Sequence, residues 1–445
     1  MNNETGSTKN RSRWMYPYLV FSIASGPLTT LIQLYILRVG GGVLDVSYAI
    51  TFASAITIPA VFFWGIVTDF VDKRKAFLVL AYLITAILIA SLLFITSVFG
   101  IIAIYTLMAF IGAATAAPLE LLVMETAQKR RWSHNFSMLQ ALGSAGMVAG
   151  LMIAWIVTGQ ADLDLLIIAL AIAAFASAGL AAGLVSEPRS DHKRPSLSGH
   201  IHVFVYRLIG LPHVLMRIPN PRDLKDAFRF DRLVKVKRNF MPMFYAASFI
   251  FFFGSSMFNT EYPVGLKLFN VSSSMIFFII LFAMIIQSAV FWYYNRLTGH
   301  RKRYLIASVS LFLRGIGYMA IGIMFIYLSG FLFEFSNLII YPIAAGIAYA
   351  VYYTAAYSLF FNTLSAKGRG TAIGIYTAIA GIGTFTGALA SGNAVIAHGF
   401  GDTFIIAGLL MLLGSYIFES FPRRNVVLGL QPVRLADPDQ RSCQF

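Results

Sequence analysis

Twelve long apolar runs dominate this 445-residue sequence, and each is long enough to cross a lipid bilayer as a helix. Hydrophobic residues make up 58% of the chain and charged residues only 12%, whereas soluble domains carry roughly 25% charged residues. So few charges could not cover a water-soluble core of this size, so the sequence predicts an all-α membrane protein. The runs lie near 14–37, 46–69, 75–96, 99–124, 133–158, 163–186, 240–262, 271–294, 303–328, 335–362, 370–396 and 402–421.

The runs form two groups of six, and the groups resemble each other weakly. At one constant offset, Gln33 matches Asn259, and Asp69 matches Asn295. Related halves are common among transporters, so we predict two pseudo-symmetric six-helix bundles. The predicted regions are a tail at 1–13, a bundle at 14–186, a basic central loop at 187–239, a second bundle at 240–421 and a tail at 422–445.

The basic residues predict the orientation of the chain. All but three of the 34 Lys and Arg residues fall on one side when the runs are threaded through a membrane in order; the exceptions are Arg38, Lys267 and Arg314. Basic loops remain in the cytoplasm, so we predict a multi-pass protein of the plasma (cytoplasmic) membrane with both termini cytoplasmic. The net charge of +15 is then explained by the basic cytoplasmic loops, and we expect no nucleic-acid partner. We also expect a monomer.

The central loop at 187–239 has two interpretations. Its stretch 201–218 mixes aromatic and aliphatic residues with Arg207, His213 and Arg217. Such a segment fits a helix in the headgroup plane that binds anionic lipids. The alternative is a solvated connector.

The junction between the second and third runs carries a carboxylate among basic residues. Gly65 is followed by Asp69 and then by a basic cluster that includes Lys73 and Arg74. Gly65 would allow another helix to approach closely. Asp69 could pair with the cations or with a facing helix N-terminus and hold one face of the protein shut.

This pattern resembles the loop signature of the major facilitator superfamily. A degenerate copy follows in the second half at 295–301, and 369–374 resembles the family's eleventh helix. The sequence departs from the signature at Phe70 and Asp72, where the family usually has Arg and Gly.

The resemblance implies alternating access without ATP, with helices one, four, seven and ten around a central cavity. It places Gly65, Asp69, Lys73 and Arg74 in a gate. The alternative for Asp69 is a helix-end anchor with no gating role.

Polar residues on helices one, seven and ten are the candidates for a substrate site. Helix one has a break at Gly26-Pro27 followed by hydroxyls and an amide, and helix seven repeats the theme. Freed backbone groups and such side chains suit a site at the midplane of a bilayer. The alternative is that they only allow tight helix packing. The candidates are Thr29, Thr30, Gln33, Ser255, Ser256, Asn259, Tyr352, Tyr353 and Tyr357.

Few ionisable residues fall inside the runs, and such residues are functional candidates. Glu120 follows Pro118 and is the candidate for proton coupling; it could equally be an interfacial anchor, and without it the protein would be a facilitator. We expect Arg314 to pair with a neighbouring helix. Glu261 and Glu334 lie near helix ends, where we expect both to be solvated.

These features predict a secondary transporter of a small organic solute. No G-x-x-x-x-G-K-[ST] or H-E-x-x-H motif occurs, so we expect no enzyme activity and no metal or other cofactor beyond a proton or another coupling cation. The alternatives are a receptor or scaffold with a transporter fold and, less favoured, a membrane-embedded enzyme.

Overall fold

The computed structural model describes residues 13–70, 74–126, 132–185, 240–297, 303–363 and 369–419. Within these ranges the chain is helical apart from short turns, with no strand, so the predicted all-α class is confirmed. The predicted loop at 187–239 and tail at 422–445 lie outside the described residues, as does the tail at 1–13 except for its last residue.

The first half consists of six helical crossings, preceded by a 3-10 turn at Arg13–Met15. They are α1 (Tyr16–Ser25 and Leu28–Arg38), α2 (Val43–Phe70), α3 (Arg74–Ser91), α4 (Val98–Ala113 and Ala116–Thr126), α5 (Trp132–Gln160) and α6 (Leu163–Leu184).

The second half repeats this pattern. Its helices are α7 (Phe240–Leu268), α8 (Ser273–Leu297), α9 (Arg303–Tyr327), α10 (Gly330–Tyr341, a π-helical turn at Pro342–Ile347, and Ala348–Thr363), α11 (369–398) and α12 (400–419). The last two form a continuous stretch broken only at Gly399, whose φ of 83° ends α11.

Nine helical stretches in the described part of the chain are long and apolar enough to cross a membrane. One of them, Ile375–Glu419, contains both α11 and α12. When these are counted separately and α4 and α7 are added, the number is consistent with the predicted twelve.

Prolines set the breaks within helices. α1 is interrupted at Gly26-Pro27, as predicted, and α4 is interrupted at residues 114–115, just before Pro118. A proline ring cannot donate a helical hydrogen bond and clashes with the carbonyl four residues earlier. Near the second break, Trp64 Nε1 donates to the Phe110 carbonyl at 2.9 Å. The polar backbone exposed by a break is thus partly satisfied by a neighbouring helix, as a lipid environment requires.

In each half the first and fifth helices pack very closely. A Cβ added at Gly150 on α5 would overlap the carbonyl oxygen of Ile23 on α1, and one added at Gly387 on α11 would overlap that of Phe253 on α7. Glycine lets two backbones approach to this distance. The same contact, between the first and fifth helices of each half, supports the predicted duplication.

Among the described residues, hydrogen bonds join the two halves toward one end. We call the side that holds Phe70, Arg74, Leu297 and Arg303 the basic side, and the other the distal side. Three sets of hydrogen bonds join the halves in the described part of the chain, and all three lie toward the distal side; we call them the distal seam. They link Gln33 of α1 to the Asn259 and Thr260 carbonyls of α7, Ser47 of α2 to Ala388 and Ser391 of α11, and Ser274 of α8 to the Trp155 carbonyl of α5.

Gly150→Ala should destabilise the protein, because the new methyl group overlaps the backbone of α1. Overpacking of this kind costs about 1–3 kcal/mol, which should appear as a lower thermal unfolding midpoint in detergent. The matched control is Gly179→Ala on α6, where an added Cβ meets no described atom within 4 Å. Equal midpoints for the two variants would contradict the close α1–α5 contact.

Candidate functional site

One face of α1 and one face of α7 look toward each other between the halves. Thr29 and Gln33 are one turn apart and therefore share a face of α1. Gln33 contacts α7, so Thr29 points into the same gap, where its side chain is exposed and its Oγ1 lies 3.2 Å from the Tyr105 hydroxyl of α4. Asn259 of α7 also has an exposed side chain. Thr29 and Asn259 are thus predicted site residues that are accessible from the gap.

Three tyrosines stack along α10. Tyr349, Tyr353 and Tyr357 are four residues apart and half-buried, with ring centroids 5.6 Å and then 4.3 Å apart. Tyr353 contacts Phe291 of α8, and Tyr357 contacts Tyr376 of α11. The stack therefore lies between α8, which contacts α5 of the first half, and α11, which contacts α2 of the first half. Two of its members, Tyr353 and Tyr357, were predicted from the sequence; Tyr349 was missed.

Gln33 is buried between the halves in this conformation, and its part in substrate binding stays a prediction. Its side chain is 2% exposed, and its Nε2 donates to the carbonyls of Asn259 and Thr260 at 3.3 and 3.1 Å. The amide is a link between the halves, because it reaches backbone oxygens that belong to the other bundle.

Four further candidates are also buried in this conformation, and their role in a substrate site stays a prediction. Ser256 donates to the Thr384 carbonyl of α11 at 2.7 Å, and the Tyr352 ring packs 4.2 Å from that of Phe251. Both contacts lie within the second half. The four buried candidates are Thr30, Ser255, Ser256 and Tyr352.

Arg314 is buried without a carboxylate partner within 4.0 Å in the described part of the chain. Its guanidinium carbon lies 4.9–5.4 Å from the ring centroids of Phe251, Tyr318 and Tyr349. One nitrogen also lies 3.4 Å from the Ala344 carbonyl, in the π-helical turn of α10. The expected pairing with a neighbouring helix is therefore made by aromatic faces and a backbone oxygen, both of which attract a cation.

Glu261 was expected to be solvated, and that prediction is wrong. The residue is fully buried where α2, α7 and α11 meet. The predicted run ended at 262, whereas α7 continues through Pro263 to Leu268, so Glu261 lies about 10 Å inside the helix end. The run of Val, Gly and Leu after Pro263 was the available signal that the helix continues.

The predicted gate is described only in part. The Asp69 and Glu120 side chains and all of Lys73 lie outside the described residues. A Cβ added at Gly65 would meet no described atom within 4 Å, so its predicted close helix contact is not made with the described residues and its gating role stays a prediction. Arg74 is buried at the start of α3 and donates to the Thr68 carbonyl at 3.1 Å, near the end of α2. A cation at a helix C-terminus is a stabilising arrangement.

A separate groove of about 910 Å³ lies between α2 and α4. Its walls are apolar and include Phe52, Phe99 and Leu107, all of them exposed, while Asp45 is at its distal end. Such a surface suits lipid chains better than a polar solute. We therefore place the candidate site in the gap between the halves. No cluster of three or more metal-ligating side chains occurs among the described residues.

The comparison with known families agrees with this architecture. A family profile described as Major Facilitator Superfamily matches residues 18–337, more than half of the sequence. The chain belongs to this superfamily. The resemblance drawn from the sequence is thereby confirmed, and the protein is a multi-pass integral membrane protein. No curated protein sequence matches it.

Solved transporter structures share the fold. A mutant of the nucleoside transporter NupG has a TM-score of 0.69 at 15% identity, covering 93% of this chain and 99% of its own. A D-xylose–proton symporter has a TM-score of 0.65 at 13% identity, covering 94% and 97%. A POT family transporter in complex with 5-aminolevulinic acid has a TM-score of 0.66 at 11% identity, covering 94% and 96%. At these identities the likeness shows the fold alone.

The aromatic environment of Arg314 can be tested by a double-mutant cycle of Arg314→Met with Tyr318→Leu. If the ring stabilises the buried cation, the two changes should be non-additive in thermal unfolding by about 1–2 kcal/mol. Tyr82→Leu is the control partner, because Tyr82 is equally buried but lies in the other half. Additive effects with Tyr318 would contradict a cation–π role.

Proposed function

We propose that this protein is a secondary transporter that moves a small organic solute across the membrane by alternating access. The observation that carries the proposal is the one-sided contact between two similar halves. Hydrogen bonds join the halves at the distal seam, while Thr29, Asn259 and the tyrosine stack are accessible in the gap between them. A substrate in this gap would be reached from one side and barred from the other.

Exposed side chains of both halves on the basic side support this proposal. α2 and α11 are joined by Ser47 and Ser391 at the distal seam. Farther toward the basic side, Phe62 of α2 and Ile375 of α11 are both exposed. The clustering of Lys and Arg favours a cytoplasmic location for the basic side and for both termini. We therefore infer a conformation that is open to the cytoplasm of a plasma-membrane protein.

The lining of the gap supports a polar solute with little or no net charge. It offers a hydroxyl, an amide and tyrosine rings, which combine apolar faces with hydrogen-bonding tips. The transporters of similar fold are named for a nucleoside and D-xylose, and one holds 5-aminolevulinic acid, all small organic molecules. The same residues would serve a receptor that binds such a solute without transporting it.

A ligand screen followed by a flux assay tests the proposal. Nucleosides, monosaccharides and small amino acids are first ranked by the thermal shift that they produce in the purified protein. The best binder is then followed into proteoliposomes. Thr29→Val should weaken binding more than Thr30→Val, because only the first hydroxyl is accessible. A solute that binds but is never transported would favour the receptor.

A disulfide across the distal seam should stop transport. A Cβ built at Gly159 of α5 would lie 3.8 Å from the Cβ of Ser274 on α8, which is the usual spacing in a disulfide. The only native cysteine, Cys443, is first replaced by Ser. Oxidised Gly159→Cys/Ser274→Cys protein should lose flux, because the distal side cannot open, and reductant should restore it.

The two single-cysteine variants are the controls, since neither can form the cross-link within one chain. Both should keep their flux under oxidation. Full flux in the cross-linked protein would contradict alternating access at this seam.

A further inference from the structure

Glu261 is part of a chain of oxygen atoms that crosses from one half of the protein to the other. Its Oε1 lies 3.0 Å from the Ser391 hydroxyl on α11. The Ser391 hydroxyl lies 2.8 Å from that of Ser47 on α2, and both hydroxyls reach the Ala388 carbonyl, at 2.7 and 2.6 Å. The Gly392 N–H donates to Ser47 at 2.8 Å. The carboxyl group thus belongs to the distal seam.

The number of hydrogen atoms in this cluster favours a protonated carboxyl group. Four short oxygen–oxygen contacts connect Glu261, Ser391, Ser47 and Ala388, yet the two serines supply only one hydroxyl hydrogen each. The single Ser391 hydrogen can go to Glu261 or to the Ala388 carbonyl but not to both, so when Ser391 donates over the shorter distance to Ala388 its contact with Glu261 lacks a hydrogen. A proton on Glu261 supplies it, because the acid then donates to the Ser391 oxygen.

Glu261 has no cation beside it, in the described part of the chain, to compensate for a negative charge. It is 0% exposed, its Oε2 has no hydrogen-bond partner, and the one ion pair among the described residues is Arg38–Asp164. An isolated buried carboxylate is strongly unfavourable, whereas the neutral acid is tolerated.

The charged and titratable groups near Glu261 bind elsewhere. On α7 itself, Tyr262 donates to Asn337 and Lys267 donates to Ser273. Asp45 of α2 accepts from the Gly42 N–H. From α1, α2 and α11, the groups that face this part of α7 are Gln33, Ser47 and Ser391, which are uncharged.

We propose that Glu261 is the proton-binding site of the distal seam, an inference that rests on the proposed alternating access. The carboxyl group holds its proton while α2 and α11 are joined. When the halves separate and water reaches the group, its O–H bond breaks and the proton passes to water, leaving the hydrated carboxylate. Closing the seam then takes up one proton, so acidic conditions favour the closed seam and alkaline conditions favour the open one.

Two measurements on the full-length protein test this without a known substrate. The first is the infrared carbonyl band of protonated carboxylic acids at neutral pH. The second is labelling of a Ser274→Cys reporter by a membrane-impermeant maleimide, in a Cys443→Ser background, across a range of pH. Ser274 lies in the seam and donates to the Trp155 carbonyl. Because the thiolate is the reactive form, the labelling rate at each pH is divided by that of the same cysteine in the unfolded protein, and a rise in this ratio above its value in the closed seam reports opening.

Glu261→Gln is compared with Glu334→Gln, the same chemical change at a half-exposed position beside the distal end of α10. In the parent protein and in Glu334→Gln, the labelling ratio should rise severalfold from acidic to alkaline pH. In Glu261→Gln, the labelling ratio should remain low at every pH and the infrared band should be lost. Glu261→Asp, which retains the acid, should shift the band and keep a pH response, so the outcome does not depend on one variant folding.

Any of three results would contradict the proposed proton site. They are a pH response that persists in Glu261→Gln, the absence of a protonated carboxylic acid band in the parent protein, and labelling that changes with the Na⁺ concentration at fixed pH. The flux assay separates this failure from failure of the proposed function. If solute flux is observed but Glu261 has no effect on seam opening, the proposed transport function is supported and only the proposed proton site is contradicted.

Discussion

Buried polar groups must find partners inside the protein when lipid surrounds it, and here several of them find those partners across the boundary between the two halves. Gln33 reaches backbone carbonyls of α7, and Ser47 reaches the backbone of α11. Each half is therefore incomplete on its distal side without the other. This requirement holds the conformation together and defines which side of the gap is closed.

The same hydrogen bonds are weak enough to be exchanged for water. Each contributes about 0.5–1.5 kcal/mol net, and an unpaired buried group costs about as much or more. Among the described residues, Oε1 of Gln33 and Oε2 of Glu261 have no hydrogen-bond partner in the closed seam. Hydration of these two atoms on opening would therefore compensate for part of the free energy lost with the seam's hydrogen bonds. By contrast, the glycine contacts of α5 with α1 and of α11 with α7 leave no room for adjustment. We therefore expect the halves to move as rigid units about the seam.

Local features of the sequence were sufficient to locate most of the helices and the break in α1, although not every helix end. Hydropathy and length located the crossings, and Pro27 located the interruption of α1, because both effects act within a few residues along the chain. The polar pattern of helices one, seven and ten also singled out Thr29, Asn259, Tyr353 and Tyr357, whose part in a substrate site stays a prediction.

Contacts between distant parts of the chain could not be predicted in this way. The partners of Gln33 and Ser256 lie on other helices, so nothing local distinguished these buried residues from Thr29. Glu261 was misplaced because the end of a helix was set at Pro263, although a proline interrupts hydrogen bonds without always ending a helix in a packed bundle. The aromatic environment of Arg314 likewise combines side chains from three helices.

Distances between the halves on both sides of the membrane test the central claim most directly. Spin labels at Ala161 and Leu268 would report the distal side, and labels at Phe62 and Ile375 the basic side; all four positions are exposed. Pulsed electron paramagnetic resonance in lipid nanodiscs, without and with a solute that stabilises the protein, should show one distance lengthening as the other shortens. Two fixed distances, or two that change in the same direction, would contradict the account.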